Sequence, residues 1–323
     1  MSRTEIDVPP HNEPRRVTAR APGKVNLSLY VGPLAPDGFH PLVTVFQALD
    51  LYEQVTATTQ PVGNGISLTV TGSGSTQVPT DASNLAWRAA AALANAVGIK
   101  PDVALHIDKG VPVAGGMAGG SADAAATLVA VDTLWGLETP RAVLLKLAAQ
   151  LGSDVPFCLE GGTAIGTDRG QVLTPVTSEG RFHWALAVSD TGLSTPKVFA
   201  AFDRLVAIGY PVTPIDVSSG ADVAQGVLAA LRAGDAAALG QALSNDLEPA
   251  AIMLRSSLAY PLEIARDAGA LGVTVSGSGP TVAALAESEE HAREIAAAWV
   301  DAKAVSSTLV AAGPAPGARV IAT

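Results

Sequence analysis

The chain has a single cysteine, Cys158, in 323 residues. No internal disulfide can form, and any multi-cysteine metal site is excluded. A chain without disulfides suits a reducing compartment, so a cytoplasmic location is expected. Histidine is scarce as well. His11, His40, His106, His183 and His291 stand apart without metal-ligand spacing, so no resident metal is expected. No apolar run reaches the roughly 18–20 residues that a membrane span needs. The N-terminus, M-S-R-T-E-I-D-V-P-P-H-N-E-P-R-R, lacks an apolar signal core and reads as a solvated, disordered tail over residues 1–16. Positive charge is also in deficit. A net charge of −10 argues against nucleic acid or a membrane surface as partner. Internal repeats and long low-complexity tracts are missing too.

What remains is a chain that is 48% hydrophobic and 15% charged. Its length suggests roughly two domains with a sizeable core, and its mean hydropathy of +0.32 comes largely from alanine and valine. Val25, Leu27, Leu29 and Val31 alternate with Lys24, Asn26, Ser28 and Tyr30, which predicts a strand over 17–31 with Lys24 and Asn26 on one face. Further strands are expected at 44–51, 66–71 and 103–107. Helices are expected at 84–97, 121–135 and 140–151, the last two closed by Gly136 and Gly152. Near residue 180 the character changes. A strand at 184–189 is followed by helical runs near 196–207, 222–232, 235–244 and 247–268. Strands at 273–276 and 281–286, a helix at 288–302 and a strand near 305–311 complete the chain. This order suits an α+β architecture, with domains at 17–180 and 181–323.

Five stretches carry candidate chemistry. V-A-G-G-M-A-G-G-S-A-D-A-A, residues 113–125, places four glycines before a helix. A strand, a glycine-rich loop and a helix start together aim backbone N–H groups and a helix dipole at an anion. A tight turn with Ser121 as N-cap would use the same residues less fully. The loop is neither a Walker A motif nor a dinucleotide fingerprint. In R-A-P-G-K-V-N-L, residues 20–27, Lys24 follows a glycine bend and reads as an anion contact or a snorkelling surface lysine. In L-G-S-D-V-P-F, residues 151–157, Asp154 is either a helix N-cap or a carboxylate placed to take a proton from a hydroxyl. V-S-G-S-G-P-T, 275–281, interrupts a strand pair, and D-G-F-H, 37–40, ends a turn with two rings.

In order and spacing, A-P-G-K-V-N-L, the glycine loop and V-S-G-S-G-P-T resemble the three motifs of the GHMP kinase superfamily of small-molecule kinases. The resemblance spans residues 18 to 312. It implies an α+β fold with an N-terminal ribosomal-protein-S5-like domain, a C-terminal ferredoxin-like α/β sandwich, and an active site in the cleft between them. D-G-F-H and L-G-S-D-V-P-F narrow it to a branch of the non-mevalonate isoprenoid pathway. There the γ-phosphoryl of ATP goes to the 2-hydroxyl of a cytidine-diphosphate-linked polyol. The resemblance makes Asp154 the base and Lys24 its electrostatic partner, with Asn26 at the polyol. Phe39, where tyrosine is commoner, stacks on cytosine and His40 reads its edge. Phe199, a looser match, takes the other side of the base, near Thr195 and Pro196. The loop Gly115, Gly116, Met117, Ala118, Gly119, Gly120, Ser121, Ala122 and Asp123 wraps the ATP phosphates, with Asn84 and Lys109 near the nucleoside. Gly277, Ser278 and Gly279 line the phosphate and substrate side. Mg²⁺ rides on ATP, with Ser121 as one contact, and the partners are small molecules only, for a monomer or weak homodimer. Asp123 stands where asparagine is frequent and brings a negative charge to a phosphate loop. A mevalonate or homoserine kinase and a non-catalytic binding member are the alternatives. The Asp154 context argues against homoserine kinases, and intact Lys24, Asp154 and glycine loop argue against a non-catalytic member.

Overall fold

Alternating apolar residues make the first strand long. β1 runs Arg16–Val31 and pairs antiparallel with β2, Leu42–Thr59, through bulges near Pro22/Lys24 and Asn26/Ser28. A bulge re-aims side chains, and these two bracket Lys24 and Asn26. The computed structural model describes residues 14–113, 115–211, 215, 222 and 224–323, so most of the expected tail lies outside the described residues. Part of the start of the helix expected at 222–232 does so as well.

β3 (Ile66–Gly72), α1 (Leu85–Val97) and β4 (Val103–Lys109) form a crossover unit, with β3 and β4 parallel. Asn84 caps α1, its Oδ1 accepting from Ala86 N–H at 2.8 Å, and Gly98 closes the helix in the left-handed region. α2 (Gly119–Trp135) is apolar on nearly every face, as only a fully enclosed helix can be. It lies between the sheet and α1, α3 (Arg141–Leu151) and α4 (Val155–Glu160). Each enclosed leucine or valine contributes about 1.5–3 kcal/mol, and α2 carries Leu128, Val131 and Leu134 into one core with Leu93, Ile107 and Leu147. β5 (Thr163–Asp168) and β6 (Val172–Pro175) extend β2 at its other end.

The second sheet is antiparallel throughout. It is built from β7 (Phe182–Val188), β9 (Gly272–Val275), β10 (Val282–Ala286) and β11 (Ser307–Gly313), in the order β11-β7-β10-β9. Between β7 and β9 come α5 (Thr195–Ala207), α6 (Gln225–Ala233), α7 (Ala236–Ala242), β8 (Ser244–Asn245), α8 (Glu248–Leu254) and α9 (Ala259–Asp267). The single helix expected over 247–268 is thus two, divided by a 3-10 turn at Ser256–Leu258. α10 (Glu289–Asp301) packs on β7, β10 and β11, with Trp299 buried and its indole N–H donating to Pro261 O at 2.8 Å. The last strand, β12 (Arg319–Ala322), returns to β1, and β8 pairs with β1 as well. The large sheet therefore draws on both sides of residue 180. Val25, Leu27, Val45 and Leu49 share a core with Trp184, Leu186 and Leu285, which welds the two sheets together.

Candidate active site

The pair at the centre is made by strand geometry. β1 points Val25 and Leu27 into the shared core and Lys24 and Asn26 to the opposite side, as the alternation requires. That side is not solvent. Lys24 and Asn26 are only 4% and 3% exposed, so the snorkelling reading of Lys24 does not hold. Lys24 Nζ donates to Asn26 Oδ1 at 2.6 Å, and Asn26 Nδ2 donates to Thr44 Oγ1 at 2.8 Å. Thr44 donates in turn to Ser28 O at 2.7 Å, so the lysine is oriented by a closed chain of buried bonds.

Asp154 faces this lysine, with its Oδ2 3.9 Å from Lys24 Nζ. The residue occupies the N-cap position of α4, yet its side chain makes no capping bond. A carboxylate in that position normally spends an oxygen on the helix; this one keeps both free. Cys158, one turn on, is not a rival nucleophile. Burial, and then the Asp154 carboxylate, push its thiol well above the ordinary range, so it stays protonated.

Lys24, Asn26 and Asp154 line a cavity of about 670 Å³, within the range of small-molecule sites. One wall is the glycine loop, where Gly116, Ala118 and Ser121 face the space. Gly116 has φ 76°, and a Cβ there would collide with Ser276 O, so both the turn and the close approach require glycine. Ala118 also sits in the left-handed region at φ 63°, immediately before α2. An L-residue there carries about 1–2 kcal/mol of strain. Two left-handed residues beside a helix N-terminus turn backbone N–H groups toward one point. Ser121 is in the first turn of α2 and is not its N-cap, because the helix begins at Gly119. The second glycine turn crosses the cavity from the other sheet, contributing Gly277 and Ser278. A Cβ on Gly277 would lie 3.2 Å from both Lys24 Nζ and Asn26 Oδ1. Thr195, Pro196 and Phe199 of α5, with Phe39 and His40, close the far end. There His40 stacks on Phe199 with centroids 5.1 Å apart, and its Nδ1 donates to Gly32 O at 2.8 Å.

Other expected site residues stand behind the loop. Met117 is fully buried in the core, Gly115 packs on Thr281, and Ala122 is enclosed. Gly119 and Gly120 begin α2, and Gly279 closes the second turn against Val275. Asn84 serves its helix. Lys109 and Asp123 do not line the cavity; Lys109 Nζ lies 2.6 Å from Glu53 Oε1 and 2.7 Å from Asp123 Oδ2. All three groups are buried. Burial and then the Asp123 carboxylate push Glu53 up to about 8, against the pull of Lys109. Burial also raises Asp123. Burial pulls the Lys109 ammonium down, but Asp123 and Glu53 outweigh it and hold it above its usual range.

Sequence reasoning missed Thr44, Glu53, Arg169, Asp203 and Asn245. Asn245 Nδ2 donates to Val275 O and Gly277 O, both at 2.7 Å, and so pins the second glycine turn to β1. Asp203 Oδ1 lies 3.4 Å from His40 Nε2. None of these sits in a motif, and each acts on a partner remote in sequence. Among the described residues no group of three or more histidine, cysteine, aspartate or glutamate side chains could hold a metal, and no helix is long and apolar enough to cross a membrane.

Two family models match the chain, the GHMP kinases N terminal domain over residues 84–162 and the GHMP kinases C terminal domain over 227–305. A 4-diphosphocytidyl-2-C-methyl-D-erythritol kinase of Thermobifida fusca is 53% identical over 316 residues, covering 96% of this chain and all of the relative. One from Streptomyces avermitilis is 51% identical, covering 94% and 99%. A solved structure of a 4-(cytidine 5'-diphospho)-2C-methyl-D-erythritol kinase superposes with a TM-score of 0.73 at 30% identity, covering 91% of this chain and 98% of that one.

Proposed function

The chain belongs to the 4-diphosphocytidyl-2-C-methyl-D-erythritol kinases of the GHMP family, and on that premise we propose how its own residues carry out the transfer. It is a small-molecule kinase that uses ATP, and its acceptor is the cytidine-diphosphate-linked methylerythritol of the non-mevalonate isoprenoid route. Asp154 takes the proton of the acceptor's 2-hydroxyl as that oxygen bonds to the γ-phosphorus. The bond from the γ-phosphorus to the bridging oxygen breaks, and ADP leaves with its electron pair. The observation that carries this reading is the free carboxylate of Asp154 facing Lys24 across the cavity.

Phosphoryl transfer asks for positioning and charge stabilisation more than covalent help. Lys24 does both. Its ammonium faces the Asp154 carboxylate and the charge that develops on the transferred group, while Asn26 and Thr44 fix its direction. The backbone about Gly116 and Ala118, with the start of α2 and Ser121, receives the ATP phosphates. Lys109, beside Gly119, and its partner Asp123 support the start of α2 from behind, while Asn84 caps α1. Mg²⁺ enters with ATP as part of the substrate. Small hard ions keep most ligands from phosphate and water, and Ser121 and Asp154 are among the oxygen-bearing side chains that line the cavity. Gly277, Ser278 and Asn26 hold the methylerythritol end, and Phe39, His40 and Phe199 hold the cytosine. The proposal extends to action as a monomer or weak homodimer in the cytoplasm, which a single buried cysteine suits.

The test is ADP release across a panel of acceptors. Turnover is expected with 4-diphosphocytidyl-2-C-methyl-D-erythritol and little with mevalonate, homoserine or galactose; a preference for mevalonate would remove the assignment of the acceptor. Asp154→Asn is expected to lower kcat about 10²–10⁴-fold, the usual share of a general base, with KM for ATP unchanged. A near-normal rate would take Asp154 out of that role.

A further inference from the structure

Phe39 is a large aromatic with no core to pack into. It lies on the loop between β1 and β2 and is 49% exposed. A side chain so placed would have to be ordered by each ligand it bound, at a cost in affinity. Three contacts order it in advance. Phe39 N–H donates to Asp37 Oδ1 at 3.0 Å, Asp37 Oδ2 accepts from Arg169 Nη2 at 2.9 Å, and the Arg169 guanidinium carbon lies 3.5 Å from the centroid of the Phe39 ring.

Arg169 comes from the turn between β5 and β6, some 130 residues away in sequence, and that turn is itself anchored. Arg169 N–H donates to Gln171 Oε1 at 3.0 Å, and Gln171 Nε2 donates to Asp168 Oδ2 at 2.5 Å. Gly170, at φ 98°, brings the turn against the ring of Phe46, which lines the same cavity. A guanidinium at 3.5 Å covers one whole face of a phenyl ring, so a second flat group can stack only on the other. Across the cavity stands the His40–Phe199 stack.

We propose that Arg169 is a positioning residue for the acceptor, holding Phe39 as a one-faced platform for the pyrimidine ring. This rests on the reading of the cavity as the site of a cytidine-linked acceptor. Arg169 acts through Phe39, with one arm of its fork committed to Asp37, and does not grip the acceptor's diphosphate.

Steady-state rates with 4-diphosphocytidyl-2-C-methyl-D-erythritol and ATP test it in wild type, Arg169→Ala, Arg169→Lys, Phe39→Leu and the double variant Phe39→Leu/Arg169→Ala. Arg169→Ala is expected to raise KM for the acceptor about three- to twenty-fold, the size of a cation–π contact, with kcat and KM for ATP within about two-fold. Arg169→Lys should recover little, because an ammonium has no flat face to lay on the ring. In the Phe39→Leu background the arginine substitution should add nothing. An undiminished arginine effect in that background would mean direct contact with the acceptor and overturn the proposal. So would a fall in acceptor KM, which would make the guanidinium a cover over the base's own face, or no change at all. Wild type that ignores the cytidine-linked acceptor would remove the underlying reading, and this inference with it.

Discussion

Two carboxyls and one ammonium share a buried space behind the glycine loop. An unbalanced charge is expensive there, so burial raises both carboxyls, Glu53 to about 8. Its unfolded counterpart gives up the proton near 4.5. Between those values the folded protein binds more protons than the unfolded chain, so this contribution is complete below about 4.5 and is lost as pH rises through about 8. Asp123, also raised, acts in the same direction. Lys109, held above its usual range, changes nothing below that range. Glu53→Gln removes the titrating proton. Its Tm minus that of wild type should therefore climb as pH goes from 5 to 8.5 in thermal melts, whatever its value at pH 5. A difference independent of pH would mean that Glu53 is ionised throughout. The Asp123 charge that looked awkward beside a phosphate loop is thus answered by Lys109.

At the scale of elements, the second glycine turn is the part whose shape the chemistry depends on. Gly277 adopts φ 57°, and its missing Cβ leaves room for Lys24 Nζ and Asn26 Oδ1. Asn245 holds the turn down through two carbonyls. Gly277→Ala combines left-handed strain with a push on the lysine pair. It should lower kcat about ten- to hundred-fold, as small misplacements of reacting groups do, while Tm falls only a few degrees. A Tm collapse with normal kcat per folded molecule would show that the glycine serves folding alone. The β1 alternation that separates Lys24 and Asn26 from Val25 and Leu27 was legible in the sequence. That the lysine face would be sealed by this turn was not, because period-2 patterning says which residues share a face and nothing about what covers it.

Across the whole molecule, the C-terminal segment ties the two sheets to α4, the helix that Asp154 precedes. β12 pairs with β1, and Ala318 N–H donates to Cys158 O and Leu159 O in α4 at 3.1 and 3.0 Å. Ala315 N–H donates to Ala48 O at 2.9 Å, and Gly162 N–H to Ala315 O at 2.8 Å. At about 1 kcal/mol net for each hydrogen bond, removing residues 315–323 costs several kcal/mol and should lower Tm by about 5–10 °C. It should also reduce kcat, since α4 and Asp154 lose their outer support. Differential scanning calorimetry with ADP-release rates checks both, and a truncated chain with unchanged kcat would show that α4 is held adequately by α2 and α3 alone.

By itself the sequence determined the long helices and strands and the three glycine-bearing motifs, while the pairing of Lys24 with Asp154 came only as what the family resemblance implies. Those features are written in local periodicity, in backbone freedom and in motif order, all of which survive without tertiary contacts. The tertiary structure alone decided the rest. It split the helix at 256–258, returned β12 and β8 to the first sheet, enclosed Lys109 and Asp123 with Glu53, and laid Arg169 on Phe39. Apart from the helix break, each of these joins residues from about 14 to 300 positions apart. Contacts of that kind are set by which surfaces meet when the sheets close on their shared core, and no window of local sequence carries them.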